Sequence, residues 1–270
     1  MSSKGVYNLN GFKQINKDLY EGLTFDTKFN GKLEIVEYIS NKNVVVKFVD
    51  TGYVTQTALS EIQRGSVKDR LRASVFGVGI IGEEPSCIDG KELREYVLWT
   101  GVLERCYCPR AQSTNSKAYI GCSVSDNFRY YPYFKEWCEK QVGFDQDGWQ
   151  LDKDILVKGN KIYSEDVCVF VPHRINSLLL TNESKRGEYP IGVTFDKRNS
   201  KFRVCINKYG KNSHVGHYRT IGEASLAYKD AKEMYVKEVA TSYRDQIDPR
   251  VYKALMVWEV EEEQQSLLTN

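Results

Sequence analysis

Polar side chains that can bind a cation or a phosphate are concentrated in residues 150–176, where they alternate with apolar residues. Two carboxylates, Asp152 and Asp154, stand two positions apart after Leu151. Alternate residues of an extended chain point to the same face, so the two carboxylates would converge. A hard divalent cation takes oxygen ligands, and these carboxylates with an amide oxygen and water would suit Mg²⁺. The spacing therefore predicts a metal site, with solvated strand residues as the alternative.

The apolar pattern around these carboxylates predicts a strand, a loop, a second strand and a helix. The first strand is expected to extend to Leu156, and the sequence Lys-Gly-Asn-Lys at 158–161 is a loop signal. The β-branched and aromatic run at 167–171 predicts a returning strand. Pro172 suits the first turn of a helix, which would carry Asn176 opposite the acidic strand.

This order of residues resembles the ββα-metal element of HNH endonucleases, in particular the divergent HNH-like proteins of bacteriophages. The resemblance implies that Asp152 and Asn176 hold a divalent metal ion, Mg²⁺ or Mn²⁺, and that Asn160 lies in the connecting loop. It also places Lys153 where the family has its general-base His. A lysine with an ordinary pKa of ~10.4 is protonated at pH 7 and cannot accept a proton from water.

Three explanations of this departure stay open. Burial could activate Lys153 as the base, Asp154 could be the base, or hydrolysis has been lost. His173 is a further catalytic candidate, although at the helix start it could equally be a cap or a phosphate contact. The candidate catalytic residues are therefore Lys153, Asp154, Asn160 and His173.

The basic residues of the chain are concentrated after residue 180. The whole chain has 38 Lys and Arg against 36 Asp and Glu, a formal net charge of +2. Residues 194–219 hold seven of the basic residues and one acid. Such a local excess is typical of a surface that binds phosphate, and a solvated charged surface is the alternative.

The same region has the pattern of a small sheet followed by a helix. Alternating residues predict strands at 191–195, 202–207 and 214–218. A capping box of Thr220 and Glu223 begins a helix that runs to about Ala240, with an Ala-rich apolar stripe. Phe202, Val204 and Ile206 would face this helix, so Arg203, Cys205 and Asn207 would face outward.

Over about 189–239 this pattern resembles the apetala-two/ethylene-response-factor (ERF) DNA-binding domain. The matching residues are Gly192-Val193, Lys201-Phe202, Val215-Gly216 with Tyr218, and the capped helix. The resemblance implies that the outer face of the sheet enters the major groove of double-stranded DNA. The candidate DNA-binding residues are Thr194, Lys197, Arg203, Asn207, Lys211 and His214.

The remaining parts of the chain predict an α+β multidomain protein. Alternating runs and glycine turns in the first eighty-odd residues predict an SH3-like β-barrel, and helical spacing predicts helices at 91–106 and 131–141. The expected segments are an SH3-like domain at 1–85, an HNH-like ββα-metal domain at 86–180, a linker at 181–188, an apetala-two/ERF-like domain at 189–257 and an acidic tail at 258–270.

Together these features predict a phage-type, homing-like HNH endonuclease that hydrolyses duplex DNA with a divalent metal. The alternative is a catalytically silent DNA-binding protein, regulatory or counter-defence, built on a degenerate HNH scaffold; a peptide-binding adaptor has only the barrel analogy behind it. Seven scattered cysteines without a C-x-x-C pair favour buried free thiols. With no apolar run of ~18–20 residues and no signal peptide, we expect an intracellular, soluble protein, in a bacterial cytoplasm if phage-encoded. Neither a membrane nor a small-molecule cofactor is expected as a partner.

Overall fold

The computed structural model describes residues 19–114, 119–179 and 188–260. The chain divides into two compact units, the first drawn from residues up to Pro109 together with Arg129–Tyr133, and the second from the rest. No helix in the described part of the chain is long and apolar enough to cross a lipid bilayer. The class is α+β with several small sheets, as predicted.

The first unit begins with an open four-stranded antiparallel sheet, not a closed barrel. Its order is β1-β2-β3-β4, with strands β1 (Thr24–Asp26), β2 (Lys32–Ser40), β3 (Asn43–Phe48) and β4 (Val54–Thr57). The buried face consists of Leu33, Ile35, Val44, Val46 and Phe48. The predicted SH3-like barrel is therefore wrong for the described residues, because the next two strands pair with each other and do not close the sheet.

Short elements complete the first unit. They are α1 (Leu59–Arg64), the hairpin β5 (Ala73–Val75) and β6 (Gly79–Ile80), the hairpin β7 (Cys87–Ile88) and β8 (Lys91–Glu92), and α2 (Arg94–Tyr107). The helical spacing in 91–106 thus predicted α2 to within three residues at its start. Trp99 of α2 is fully buried and lies 5.5 Å from the ring of Tyr131, between centroids.

The middle of the chain has the predicted order of strand, loop, strand and helix. Its elements are α3 (Pro109–Thr114), β9 (Ser123–Val124), a 3₁₀ turn (Asn127–Arg129), α4 (Tyr131–Glu139), β10 (Trp149–Asp152), β11 (Ile162–Tyr163), β12 (Val169–Pro172) and α5 (His173–Leu179). β10 pairs antiparallel with β12, which leads directly into α5. We call β10, β12 and α5 the ββα element.

The C-terminal part is a three-stranded antiparallel sheet covered by one long helix, as predicted. The strands are β13 (Val193–Asp196), β14 (Lys201–Lys208) and β15 (Lys211–Tyr218), in that order, followed by α6 (Ile221–Ser242). Both hydrogen bonds of the Thr220–Glu223 capping box are present. A further helix, α7 (Pro249–Met256), was not predicted from the sequence; Asp248 caps it and Pro249 occupies its first turn.

The ββα element and the terminal helices share one hydrophobic core. Val169, Val171 and Ile175 are buried together with residues of α6 and α7, among them Val236 and Val251. The predicted boundaries between domains stay predictions. Residues 181–187 of the predicted linker and 261–270 of the acidic tail lie outside the described residues.

Candidate functional site

The acidic strand of the ββα element ends in a turn. β10 stops at Asp152, whose Oδ1 accepts the backbone N–H of Asp154 at 2.7 Å and of Ile155 at 2.8 Å. This is an Asx turn, in which a short side chain at a strand end captures backbone donors. The expectations that the strand reaches Leu156 and that Asp152 and Asp154 share its face are therefore wrong.

Asp152 is a partly buried carboxylate. Burial raises the pKa of its carboxyl, and the hydrogen bonds from Ile155 and Asp154 oppose this rise. Asp154 adds to the rise by charge repulsion, and the neighbouring Lys153 reduces it. The side chain is thus held by the backbone of its own turn, in a setting that disfavours its charge.

Lys153 is a buried cation whose partners belong to the same turn and loop. Its side chain is 5% exposed, and its Nζ donates to both Asp154 oxygens and to the Asn160 carbonyl, each at 2.7 Å. The ring of Tyr163 lies 5.8 Å from Nζ. A lysine is rarely buried unless paired, and here the pairing is complete. The ammonium therefore holds the loop to the end of β10.

Asn160 closes the same loop from the other side. Its amide nitrogen donates to the carbonyls of Lys153 at 2.9 Å and Ile162 at 2.7 Å, and its Oδ1 accepts the Ile162 N–H at 3.1 Å. All of its amide groups are bonded to backbone. Asn160 thus serves loop closure in this structure.

The helical candidates lie on α5. Asn176 donates to Gln150 Oε1 at 2.8 Å, which places it beside the face of β10 that also carries Asp152, about 7 Å further along the strand. His173 is exposed at the start of α5. The structure thus brings Asn176 and Asp152 to one face of the element, and leaves His173 at its edge.

Most of these polar groups are engaged in hydrogen bonds within the element. Asp152 Oδ1 accepts two backbone amides, both oxygens of Asp154 accept the Lys153 ammonium, and Asn176 donates to Gln150 through its Nδ2. A divalent ion at the carboxylates would sit next to the Lys153 charge. Within the described residues no group of three or more His, Cys, Asp or Glu side chains could hold a metal ion. Lys153 and its loop thus form a connected hydrogen-bond network at the end of β10.

The outer face of the terminal sheet is the second candidate site. On β14, Phe202, Val204 and Ile206 face α6, while Arg203 and Asn207 are exposed, as their alternation predicted. Thr194 lies opposite Arg203 on β13. Cross-strand neighbours share a face, so the register also assigns further residues to this side: Lys201, Cys205, Asn212, His214 and His217.

One DNA-binding candidate, Lys211, was expected in a turn and lies on the other side of the sheet. Lys211 is opposite Lys208, whose ammonium lies 3.4 Å from a carboxylate oxygen of Glu238 on α6. Lys211 therefore belongs to the helix side of the sheet. It begins β15 after a two-residue turn, Tyr209 and Gly210, both with positive φ as such hairpins require.

Sequence reasoning missed three outer-face residues: Lys201, Asn212 and His217. In a regular strand, alternate residues such as His214 and Gly216 would share a face. Here the pairing shifts: Gly216 is opposite Val204, and His214 is opposite the next residue of β14, Cys205. Val215 is the extra residue of this β-bulge. The available signal was Gly216, because a glycine inside a strand often marks a bulge.

Cations on this side of the sheet and in its first turn have no acidic partner. Lys197, Lys201 and Arg203 are exposed, and none of them forms an ion pair with any residue in 19–114, 119–179 or 188–260. The one acid here, Asp196, already accepts hydrogen bonds from Asn199 and His217. The bond from Asn199 is the main cause that lowers the pKa of Asp196. The face is therefore positive at neutral pH.

Comparisons of this chain with protein-family models, with curated proteins and with solved structures found no match.

Proposed function

We propose that this chain is a DNA-binding protein, regulatory or counter-defence in role, whose terminal sheet contacts duplex DNA. The ββα element is then a structural support for that sheet and not a catalytic centre. This is the silent form of the HNH-like architecture that the sequence suggests.

One observation carries the proposal, namely the exposed and unpaired cations beside hydrogen-bonding side chains on one sheet face. Arg203 and Asn207 lie four residues apart on β14, so both project from the same side. A two-stranded ribbon fits the major groove, where Arg pairs with guanine and Asn with adenine. Phosphate contacts from Lys197 would position the duplex.

Support for the silent element comes from Lys153. A general base must offer a lone pair, but the Lys153 ammonium is enclosed and donates to three oxygen atoms at 2.7 Å. Asp154, the other candidate base, accepts that ammonium with both of its oxygens. This engagement disfavours both groups as the general base.

The test of DNA binding is fluorescence anisotropy of the full chain with a labelled random-sequence duplex over a range of salt concentrations. We expect affinity to fall linearly on a log–log plot, because phosphate contacts release counterions. Lys197→Ala should flatten the slope by about 0.9, the contribution of one phosphate contact.

Lys253→Ala is the matched control, since it removes the same charge from an exposed position on α7, in the helical layer. Its affinity and salt slope should equal those of the wild-type chain. Equal losses in Lys197→Ala and Lys253→Ala, or no binding by wild type at low salt, would contradict the proposed surface.

A metal-dependent DNA endonuclease is the second candidate function. The supporting observation is the ββα connectivity with Asp152 and Asn176 beside the same face of β10. Supercoiled plasmid incubated with the purified chain and Mg²⁺ or Mn²⁺ tests it, with Asp152→Ala and Asp152→Asn as controls. Nicking by wild type that both variants abolish would establish this second function, and intact plasmid with retained binding would favour the first.

A further inference from the structure

The bulge at Val215 places His217 on the outer face of the sheet, where a regular strand that carries His214 outward would point it toward α6. Because of the extra residue, His214 and His217 both project outward, and their ring centroids lie 4.8 Å apart. His217 is directly opposite Arg203, the central cation of the face. Bulges often re-aim one side chain in this way next to functional sites.

His217 is also held in a defined orientation. Its Nε2 lies 3.2 Å from Asp196 Oδ2, and Asp196 is itself fixed by the Asn199 amide and by the Arg198 backbone N–H. A carboxylate partner on Nε2 fixes the proton there in the neutral ring, which leaves Nδ1 as an acceptor. Its side chain is 30% exposed, so solvent can reach the ring.

Resting on the proposed DNA-binding function, we propose that His217 determines specificity, and that its Nδ1 accepts a hydrogen bond from an exocyclic amine of cytosine or adenine. These amines are the hydrogen-bond donors that base pairs present in the major groove. Opposite residues of a strand pair have Cβ atoms about 5 Å apart, so His217 reaches the base position next to that contacted by Arg203. Asp196 is the positioning residue, acting through the ring.

This arrangement complements the chemistry of Arg203. The guanidinium only donates hydrogen bonds, and it suits the acceptors of guanine. The imidazole Nδ1 beside it accepts a hydrogen bond, and it suits the amine donors of cytosine and adenine. Together the two residues would read two neighbouring base positions: Arg203 would recognise acceptors at one, and His217 would recognise a donor at the other.

The experiment is binding selection on randomised duplexes with the full chain, comparing wild type with His217→Ala, Asp196→Asn, His217→Gln and Lys253→Ala. We expect an enriched motif for wild type, and in His217→Ala a loss of preference at one position by about 3–10-fold, the value of one hydrogen bond. The neighbouring preference due to Arg203 should remain. Asp196→Asn should weaken the same position, His217→Gln should restore part of it through its amide oxygen, and Lys253→Ala should keep the motif.

Thermal melting of each variant separates this role from a structural one, because an exposed side chain can change base preference without changing the melting temperature. An unchanged motif in His217→Ala, or an equal loss of preference at all positions, would overturn the role of His217 while the DNA-binding function stands. Failure of the wild-type chain to bind any duplex would refute that function, and this inference with it.

Discussion

Replacing Asp152 by Ala and by Asn distinguishes a turn-forming carboxylate from a metal ligand. In the structure Asp152 accepts the N–H groups of Asp154 and Ile155. Ala removes this acceptor and leaves both donors without a protein partner, whereas Asn keeps an acceptor oxygen of the same reach and removes only the charge. The two variants therefore test geometry and charge separately.

The magnitude follows from the exposure of the two donors. The bond from Asp154 is exposed, so water can replace the acceptor there, while the bond from Ile155 is partly buried. Leaving a buried donor unsatisfied costs about 1–3 kcal/mol. We expect Asp152→Ala to lower the free energy of unfolding of the second unit by about that amount. Asp152→Asn should stay within about 1 kcal/mol of wild type, since weaker bonds are offset by relief of the buried charge.

Two measurements check this expectation. Denaturant unfolding gives the free energy, and residue-resolved amide hydrogen exchange shows whether the Asp154 and Ile155 amides lose protection in Asp152→Ala but keep it in Asp152→Asn. Both should be repeated with Mg²⁺. Equal destabilisation by Ala and Asn, or a stabilisation by Mg²⁺ that Asp152→Asn abolishes, would refute the turn-forming role and restore the metal site.

The pH dependence has a defined sign. Burial raises the pKa of Asp152 above its unfolded value, so the folded chain binds this proton more tightly than the unfolded chain does. The associated stability is fully present below the unfolded pKa, near ~3.9, and is lost as pH rises through the raised folded pKa. Any advantage of Asp152→Asn over wild type should thus be largest at neutral pH and disappear in acid.

Three further predictions concern other residues. Lys153→Met should lower the free energy of unfolding by about 1–3 kcal/mol in denaturant titrations, because the Asn160 carbonyl loses its donor while water can still reach Asp154; an unchanged midpoint would contradict the structural role. Gly192→Ala should strongly lower the melting temperature, because a Cβ at this positive φ would lie 2.2 Å from the Tyr228 ring and 2.7 Å from the Cys205 carbonyl oxygen. Gly210→Ala is the control: its φ is 76° and nothing lies within 4 Å of the added Cβ, so it carries only the backbone strain. Cys168 should resist alkylation in the native chain at pH 7–8, because burial raises its pKa to about 12, while exposed Cys87 should react; mass spectrometry of the labelled peptides decides it.

Local patterns in the sequence predicted the elements with strong periodicity. The alternation of Phe202, Val204 and Ile206 defined the buried face of β14, and the Thr220–Glu223 capping box fixed the start of α6. The order of the ββα element followed equally from apolar runs and a loop signal. These features depend on neighbours within a few residues, which a single sequence displays directly.

The sequence could not show what depends on contacts between distant segments. Whether the first sheet closes is decided by the partners of β5 and β6, and the position of His217 by the extra residue Val215. The turn at Asp152 was missed for another reason, since an Asp at a strand end can continue the strand or capture the backbone, and its spacing is the same in both cases. Nor could the sequence show that β14 and α6 share a core with Val171 and Ile175 of the ββα element.

The core shared by the ββα element and the terminal helices has a consequence for synthesis of the chain. The apolar residues of β12 and α5 are synthesised roughly 80 residues before two α7 residues of the same core, Val251 and Leu255. At a synthesis rate of about 5–20 residues per second this interval lasts about 4–16 s. During that time the core that contains Val171 and Ile175 lacks its α7 residues. The second unit therefore completes its folding only after α7 has been translated, and nascent chains truncated before Pro249 should engage chaperones or aggregate.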